Sequence, residues 1–207
     1  MKRVNVFVAC ALLALAAGCS LDDAKPLMLY TSMGDMTSDA KGRLSSFVTD
    51  EGKRYTIANE LTGYEPRAIY RVVTSYDVLD DGKAQLYTLD PVWLLRDSTD
   101  CRRQDPVGVV AVWRSGKYVN LQLTAKTANG RQYWGYANDS VTYDEQTGKH
   151  HHYLSLHHNV ARDLDYYTAT LYASIPLDSL KTAAAGDSIS ITIATDKDKT
   201  KQYTVLY

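Results

Sequence analysis

The chain has 207 residues, 45% hydrophobic and 23% charged, with a formal net charge of −1. These are globular proportions, which exclude a disordered tail, and the near-neutral balance leaves no basic stripe for nucleic-acid phosphates. Sixteen tyrosines stand against two phenylalanines, a choice that favours strands and half-exposed surfaces because tyrosine joins apolar area to a water-tolerant hydroxyl.

Lys2 and Arg3 precede an apolar run from Val4 to Ala17, interrupted only by Asn5. Leu15-Ala16-Ala17-Gly18-Cys19 then sets small residues directly before a cysteine. That order is expected of a secretory signal, and the run is too short for a comfortable membrane span. It resembles the bacterial lipobox. Residues 1–18 are therefore read as a lipoprotein signal peptide and Cys19 as the lipidation site, with more than one acyl chain because one anchors only marginally. Cys10 leaves with the signal, so Cys101 remains alone and no intramolecular disulfide can form. Arg102 and Arg103 would lower a neighbouring thiol pKa, but no local histidine supports a nucleophile there, and Cys101 is read as an incidental linker cysteine.

Residues 19–25 form a polar tether, and Pro26 opens the folded part. Leu27 to Met33 reads as a strand followed by a Gly34-Asp35 turn. Gly42 to Val48 and Tyr55 to Ala58 flank the hairpin signal Thr49-Asp50-Glu51-Gly52-Lys53. The turn Gly63-Tyr64-Glu65-Pro66 precedes a long strand, Ala68 to Leu79. Asp80-Asp81-Gly82-Lys83 turns the chain into Ala84 to Leu89, which Pro91 breaks before Val92 to Leu95. Short strands on tight turns, with no helical period, predict a small sheet curled into a barrel over residues 26–98.

Residues 99–105 are almost wholly polar and read as an interdomain linker, with a long loop inside one domain as the alternative. A second strand-rich region, 106–207, follows. Val107 to Trp113 turns at Ser115-Gly116-Lys117. Val119, Leu121, Leu123 and Ala125 alternate with polar residues, so one face is buried. Asn129-Gly130 reads as a hairpin turn. Tyr133 to Tyr143, Tyr153 to His158, Tyr166 to Ile175, the Ile189-Ile191-Ile193 run and Gln202 to Leu206 follow, with a brief helical turn over Pro176 to Leu180. Seven short alternating strands predict a β-sandwich.

Taken in order, these pieces resemble the NigD-like lipoproteins of Bacteroidetes-type bacteria. The resemblance is carried by Cys19-Ser20-Leu21-Asp22-Asp23, Asp50-Glu51-Gly52-Lys53, Gly63-Tyr64-Glu65-Pro66 and Arg71-Val72-Val73-Thr74-Ser75-Tyr76. It continues through Asp105-Pro106-Val107, Trp113, Gly116-Lys117-Tyr118-Val119-Asn120-Leu121, the segment Tyr153 to Asn159, and the tail Asp187 to Ile191 with Tyr203 to Tyr207. It implies an all-β chain: an N-terminal OB-like small barrel followed by a C-terminal β-sandwich. It brings no catalytic residues. It also implies an outer-membrane address, lipid-anchored, on the periplasmic or cell-surface side.

All five histidines lie at His150, His151, His152, His157 and His158. Strand alternation puts His152 and His158 on one face and His151 and His157 on the other, which splits the cluster a tetrahedral metal site would need; a turn plus a half-buried strand is the expected account, with a two-histidine transition-metal contact as the alternative. No metal or other cofactor is expected. No carboxylate pair, nucleophile elbow or glycine-rich phosphate loop is present, so no catalytic residue is assigned and no enzyme is expected. Tyr55, Tyr64, Tyr70, Tyr76 and Tyr87 in the barrel, with Trp134 and Tyr136 in the sandwich, are the candidate ligand surface. The expected function is a non-catalytic accessory or interaction lipoprotein of the cell envelope. The alternatives are a glycan-binding lipoprotein and a bacteriocin immunity or tolerance protein. The expected partners are the membrane, through the lipid, and an envelope protein or glycan; nucleic acid is not among them, and a monomer is expected.

Overall fold

The computed structural model describes residues 27–98, 102–180, 182–196 and 199–207. The signal, the tether with Cys19, and Cys101 lie outside the described residues. Within them the chain is all-β, with one 3-10 turn at Leu177–Ser179. Six strands precede the expected linker: β1 Tyr30–Ser38, β2 Leu44–Thr49, β3 Arg54–Thr56, β4 Ile69–Val78, β5 Ala84–Leu86 and β6 Asp90–Leu94. Seven follow it: β7 Gly108–Ser115, β8 Tyr118–Thr127, β9 Tyr133–Asp144, β10 Lys149–Asn159, β11 Tyr167–Pro176, β12 Ser188–Asp196 and β13 Lys199–Leu206.

A long sheet runs β3-β2-β1-β4-β6-β11-β8-β7, with β5 added to β4. Its first half curls into a half-barrel, so that Ile57, just past β3, bridges to Ala84 at the start of β5. Met36, Phe47, Val72, Tyr76 and Leu86 fill the curl. Its second half faces a four-stranded sheet, β13-β12-β10-β9. Between the two sheets lie Leu121, Leu123, Leu154, Leu156 and Ile175, with the isoleucines of β12. The alternation of β8 and β12 explains this packing directly, since period-two side chains share one face.

Three local expectations are corrected. Gly34-Asp35 does not turn; it lies inside β1, paired with β2 on one side and β4 on the other. Glycine is needed there for close approach: a Cβ would fall 2.3 Å from the Val48 carbonyl oxygen and 2.5 Å from the Phe47 ring. Pro91 does not break its strand. β6 pairs with β4 at Asp90 and Pro91, then with β11 from Val92 to Leu94, so the proline sits where the partner changes and few ladder bonds are asked of it. Asn129-Gly130 does not close a hairpin, because β8 and β9 belong to different sheets. The Asp163 carboxylate binds the amides of Ala128 and Gly130, both at 2.9 Å, and shapes a corner instead.

The strand-rich halves meet around Arg71, which is 4% exposed. Its guanidinium donates to both Asp50 oxygens at 2.8 Å, to Asp35 at 3.2 Å, to Asn120 at 3.0 Å and to Ser174 at 2.9 Å. It lies 3.5 Å above the Tyr118 ring. Ser115 donates to Asp50 and accepts from Asn120. Asp35, Asp50 and Arg71 come from the first half; Ser115, Tyr118, Asn120 and Ser174 come from the second. A buried cation needs this many partners, because each unmet N–H would be left without water.

Candidate functional site

The tyrosines singled out in the sequence separate into three groups. Tyr55 and Tyr76 pack with Phe47, and Tyr76 is buried at 3% exposure; these rings fill the half-barrel. Tyr64 and Tyr70 meet edge to face at 5.2 Å and line an apolar groove of about 350 Å³ with Ile69, Leu89, Pro91 and Leu94. Tyr70 also accepts the Glu65 amide at 2.8 Å, which fixes the ring at the groove edge. Tyr87, just past β5, is half exposed and does not line that groove.

Trp134 and Tyr136 share a face, but that face is the sandwich interior. Tyr136 is 1% exposed and its hydroxyl meets Ser179 at 2.6 Å, so the structure places it in the core and not on a platform. Trp134 stacks on His158 at 3.8 Å and borders a second groove of about 280 Å³, opposite Trp93. Trp93 is half exposed. Sequence reasoning passed over it; its signal was a large aromatic between Val92 and Leu94, in a strand that contains a proline.

A polar cleft lies on the outer face of the second sheet. Its floor is built by β9 and β10. β9 carries one extra residue against β10: Tyr153 pairs with Ser140 and Leu154 with Asn138, which leaves Asp139 unpaired. Such a bulge re-aims a side chain. Here it brings Asp139 to accept the Ser155 hydroxyl at 3.1 Å. Ser155 lies 3.5 Å from His157 Nε2. Ser155 and His157 are buried, at 6% and 5% exposure.

The flanks of the expected linker form the walls. The Arg96 carbonyl and Ser98 amide bond to Tyr136 on β9. The Arg103 carbonyl and Asp105 amide bond to His158 on β10. Both groups of a strand residue point to the same side, so these flanks hold opposite sides of the β9–β10 pair. Gly135 permits the approach: a Cβ there would fall 2.9 Å from Ser98 Cβ and 3.2 Å from the Arg96 carbonyl. The cleft is about 530 Å³, and its described lining also includes Asn138 on β9 and Asp97, Arg102 and Gln104 from the flanks.

The histidines divide as alternation predicts. His152 points inward and is buried. Its pKa is lowered by burial, against the opposing pull of Asp187. His158 is lowered for the same first reason, against the Asp105 carbonyl and carboxylate. His151 faces out and meets Ser190 at 2.7 Å. Among the described residues no group of three or more His, Cys, Asp or Glu side chains is placed to hold a metal ion. The Ser155, His157 and Asp139 set does not form a nucleophilic relay either. In such a relay the imidazole stands between serine and carboxylate, whereas here the serine stands between the other two.

Residues 92–207 match the NigD-like C-terminal beta sandwich domain. The chain belongs to the NigD-like family. No curated protein matches the chain by sequence. Among solved structures, a NigD-like immunity protein from Bacteroides caccae is 23% identical, with a TM-score of 0.64 over 84% of this chain and 91% of that one. A protein of unknown function from Bacteroides vulgatus is 17% identical, with a TM-score of 0.66 over 87% and 91%. A candidate lipoprotein from Bacteroides fragilis is 14% identical, with a TM-score of 0.61 over 87% and 98%. At these identities the likeness to this NigD-like chain is one of fold. It spans both halves of the molecule.

Proposed function

We propose that this chain is a non-catalytic interaction lipoprotein of the cell envelope, held through Cys19 on the outer membrane and acting by binding an envelope protein. The observation that carries the reading is the apolar groove at Tyr64 and Tyr70. Ile69 and Leu94 beside it are 67% and 47% exposed, an arrangement that favours a partner's apolar side chains over water. The curled first half is read with it as an OB-like small barrel, a frame that often presents binding surfaces. Crosslinking and affinity recovery from intact envelopes test the reading. One partner should be recovered reproducibly and lost with Ile69→Asp; recovery of none, or equal recovery by the variant, would count against it.

A glycan-binding role is the second reading, favoured by Trp93 and Trp134 across one groove and by the polar cleft. A third reading, immunity or tolerance toward a bacteriocin, follows from family membership and from the relative described as an immunity protein. Deleting the gene should sensitise the producing strain, and the anchored protein should restore tolerance. Unchanged sensitivity to the cognate toxin removes that reading.

A further inference from the structure

We propose that the groove at Tyr64 and Tyr70 is a strand acceptor. It takes an extended, apolar segment of an envelope protein, whose backbone joins the sheet where β4 and β6 part. The inference rests on the envelope-protein reading above and gives that partner a form.

Strand pairing explains why the sheet opens there. Among the described residues β6 meets β4 at Asp90 and Pro91, opposite Val73 and Val72. Continued in that register, Leu94 would lie opposite Ile69. The pairing stops short, because β6 turns to β11 over Val92 to Leu94. The two strands are thus left with facing edges. The Ala68 carbonyl accepts from Ser38 at the end of β1, and the Ser75 carbonyl accepts from Tyr87 on the other side of β4. Backbone groups alternate sides along a strand, so the N–H and C=O of Ile69 point away from β1 and into the opening. The Leu95 amide bonds to Ser174 on β11, so the N–H and C=O of Leu94 point back toward Ile69. No strand covers that side of either residue among those described. Unpaired backbone groups at a strand edge are a template for an added strand.

The lining fits the side chains of such a strand. Tyr64, Tyr70 and Leu89 lie on the half-barrel side of the sheet, packed against its core. Ile69 lies on the opposite side with Arg71. Leu94 lies there too, since it pairs with Ser174, which Arg71 reaches at 2.9 Å. Residues of both sides line one groove of about 350 Å³, as a parting between strands requires. An extended segment sends alternate side chains to opposite faces and so meets both apolar banks at once. Arg71 is the one charged residue among the described lining, and its guanidinium is already engaged by Asp35 and Asp50, so the groove favours uncharged side chains. It also stands clear of the tether. Tyr30 pairs with Tyr76 and Thr37 with Ile69, which sets the groove about 24 Å along β1 from that strand's first residue.

The test selects linear peptides from a displayed random library on the mature chain, produced without its signal, with counter-selection on the Ile69→Asp chain. Leu94→Asp is the second variant. Ile69 and Leu94 are exposed, so both variants should keep the wild-type thermal midpoint. Selected peptides should bind saturably and weaken about fivefold or more with each variant. N-methylation of the backbone within the bound stretch should cost tenfold or more. The Ile69 amide should exchange with solvent quickly in the free chain and at least tenfold more slowly in the complex. N-methylated peptides that bind as tightly overturn strand addition, while the groove remains a seat for apolar side chains and the envelope-protein reading stands. A library that yields no peptide able to distinguish the wild-type chain from both variants overturns the inference; recovery from envelopes then decides the reading by itself. Dimers of the chain lost with Ile69→Asp overturn the partner in favour of a second copy. Binding of octanoate without binding of any peptide overturns it in favour of an acyl chain.

Discussion

Arg71 shows how one side chain ties two halves of a chain together. Five of its hydrogen bonds reach Asp35 and Asp50 in one half and Asn120 and Ser174 in the other. Arg71→Met should destabilise the folded chain by about 3–5 kcal/mol, because it strands Asp50 without its cation. Arg71→Lys should recover little, since a point charge cannot replace the two-pronged contact. Urea unfolding of the mature chain measures both. Restoring most of the lost stability by pairing Arg71→Met with Asp50→Leu would locate the cost in the orphaned carboxylate.

His152 and His158 bear on pH at the same scale. Burial depresses both pKa values. As pH falls through the ordinary histidine range near 6.5, the unfolded chain takes up protons at these sites before the folded chain does. Stability therefore rises with pH there. It is fully present above that range and is lost as pH falls toward the depressed folded values. The urea midpoint should drop between pH 7.5 and 5.5, and the drop should be smaller in His158→Gln. An equal drop in the variant would remove His158 from the account.

At the scale of elements, the β9 bulge and the bonded linker flanks create the polar cleft. Gly135→Val would push against Ser98 and the Arg96 carbonyl. It should speed amide exchange at Ser98 and Tyr136 by tenfold or more, while global stability falls by no more than about 1–3 kcal/mol. Unchanged exchange would mean that the flank is not held there by close approach. Neither feature was legible in the sequence. Alternation announced β8, β11 and β12, and parity along the expected strand divided the histidines, because period two is a local signal. It could not announce the bulge at Asp139, which exists only in the pairing of β9 with β10. Nor could a polar run such as 96–105 reveal that its flanks bond to opposite sides of that pair. Tyr136 was misplaced for a related reason: shared parity identifies a face but not whether that face meets water or a second sheet.

At the scale of the whole molecule, the sequence order carried the family and the all-β class, since turns and alternating runs recur along the full chain. The break expected at residues 99–105 rests on composition. The hydrogen-bonded sheet passes between the halves through β6, at residues 90–94, and the match to the family's sandwich domain covers residues 92–207. The proposed address rests on the N-terminal segment that ends at Cys19, which makes lipidation there the central claim and the easiest to isolate. Cys19→Ala should abolish lipidation, block signal processing and leave the fold intact, because every described core residue lies beyond residue 32. The decisive measurement is the intact mass of the wild-type chain extracted from bacterial membranes. The account predicts a chain beginning at Cys19 and heavier by its acyl groups, with no free thiol at that position. A mass equal to the unmodified chain, with Cys19 open to alkylation, would contradict it.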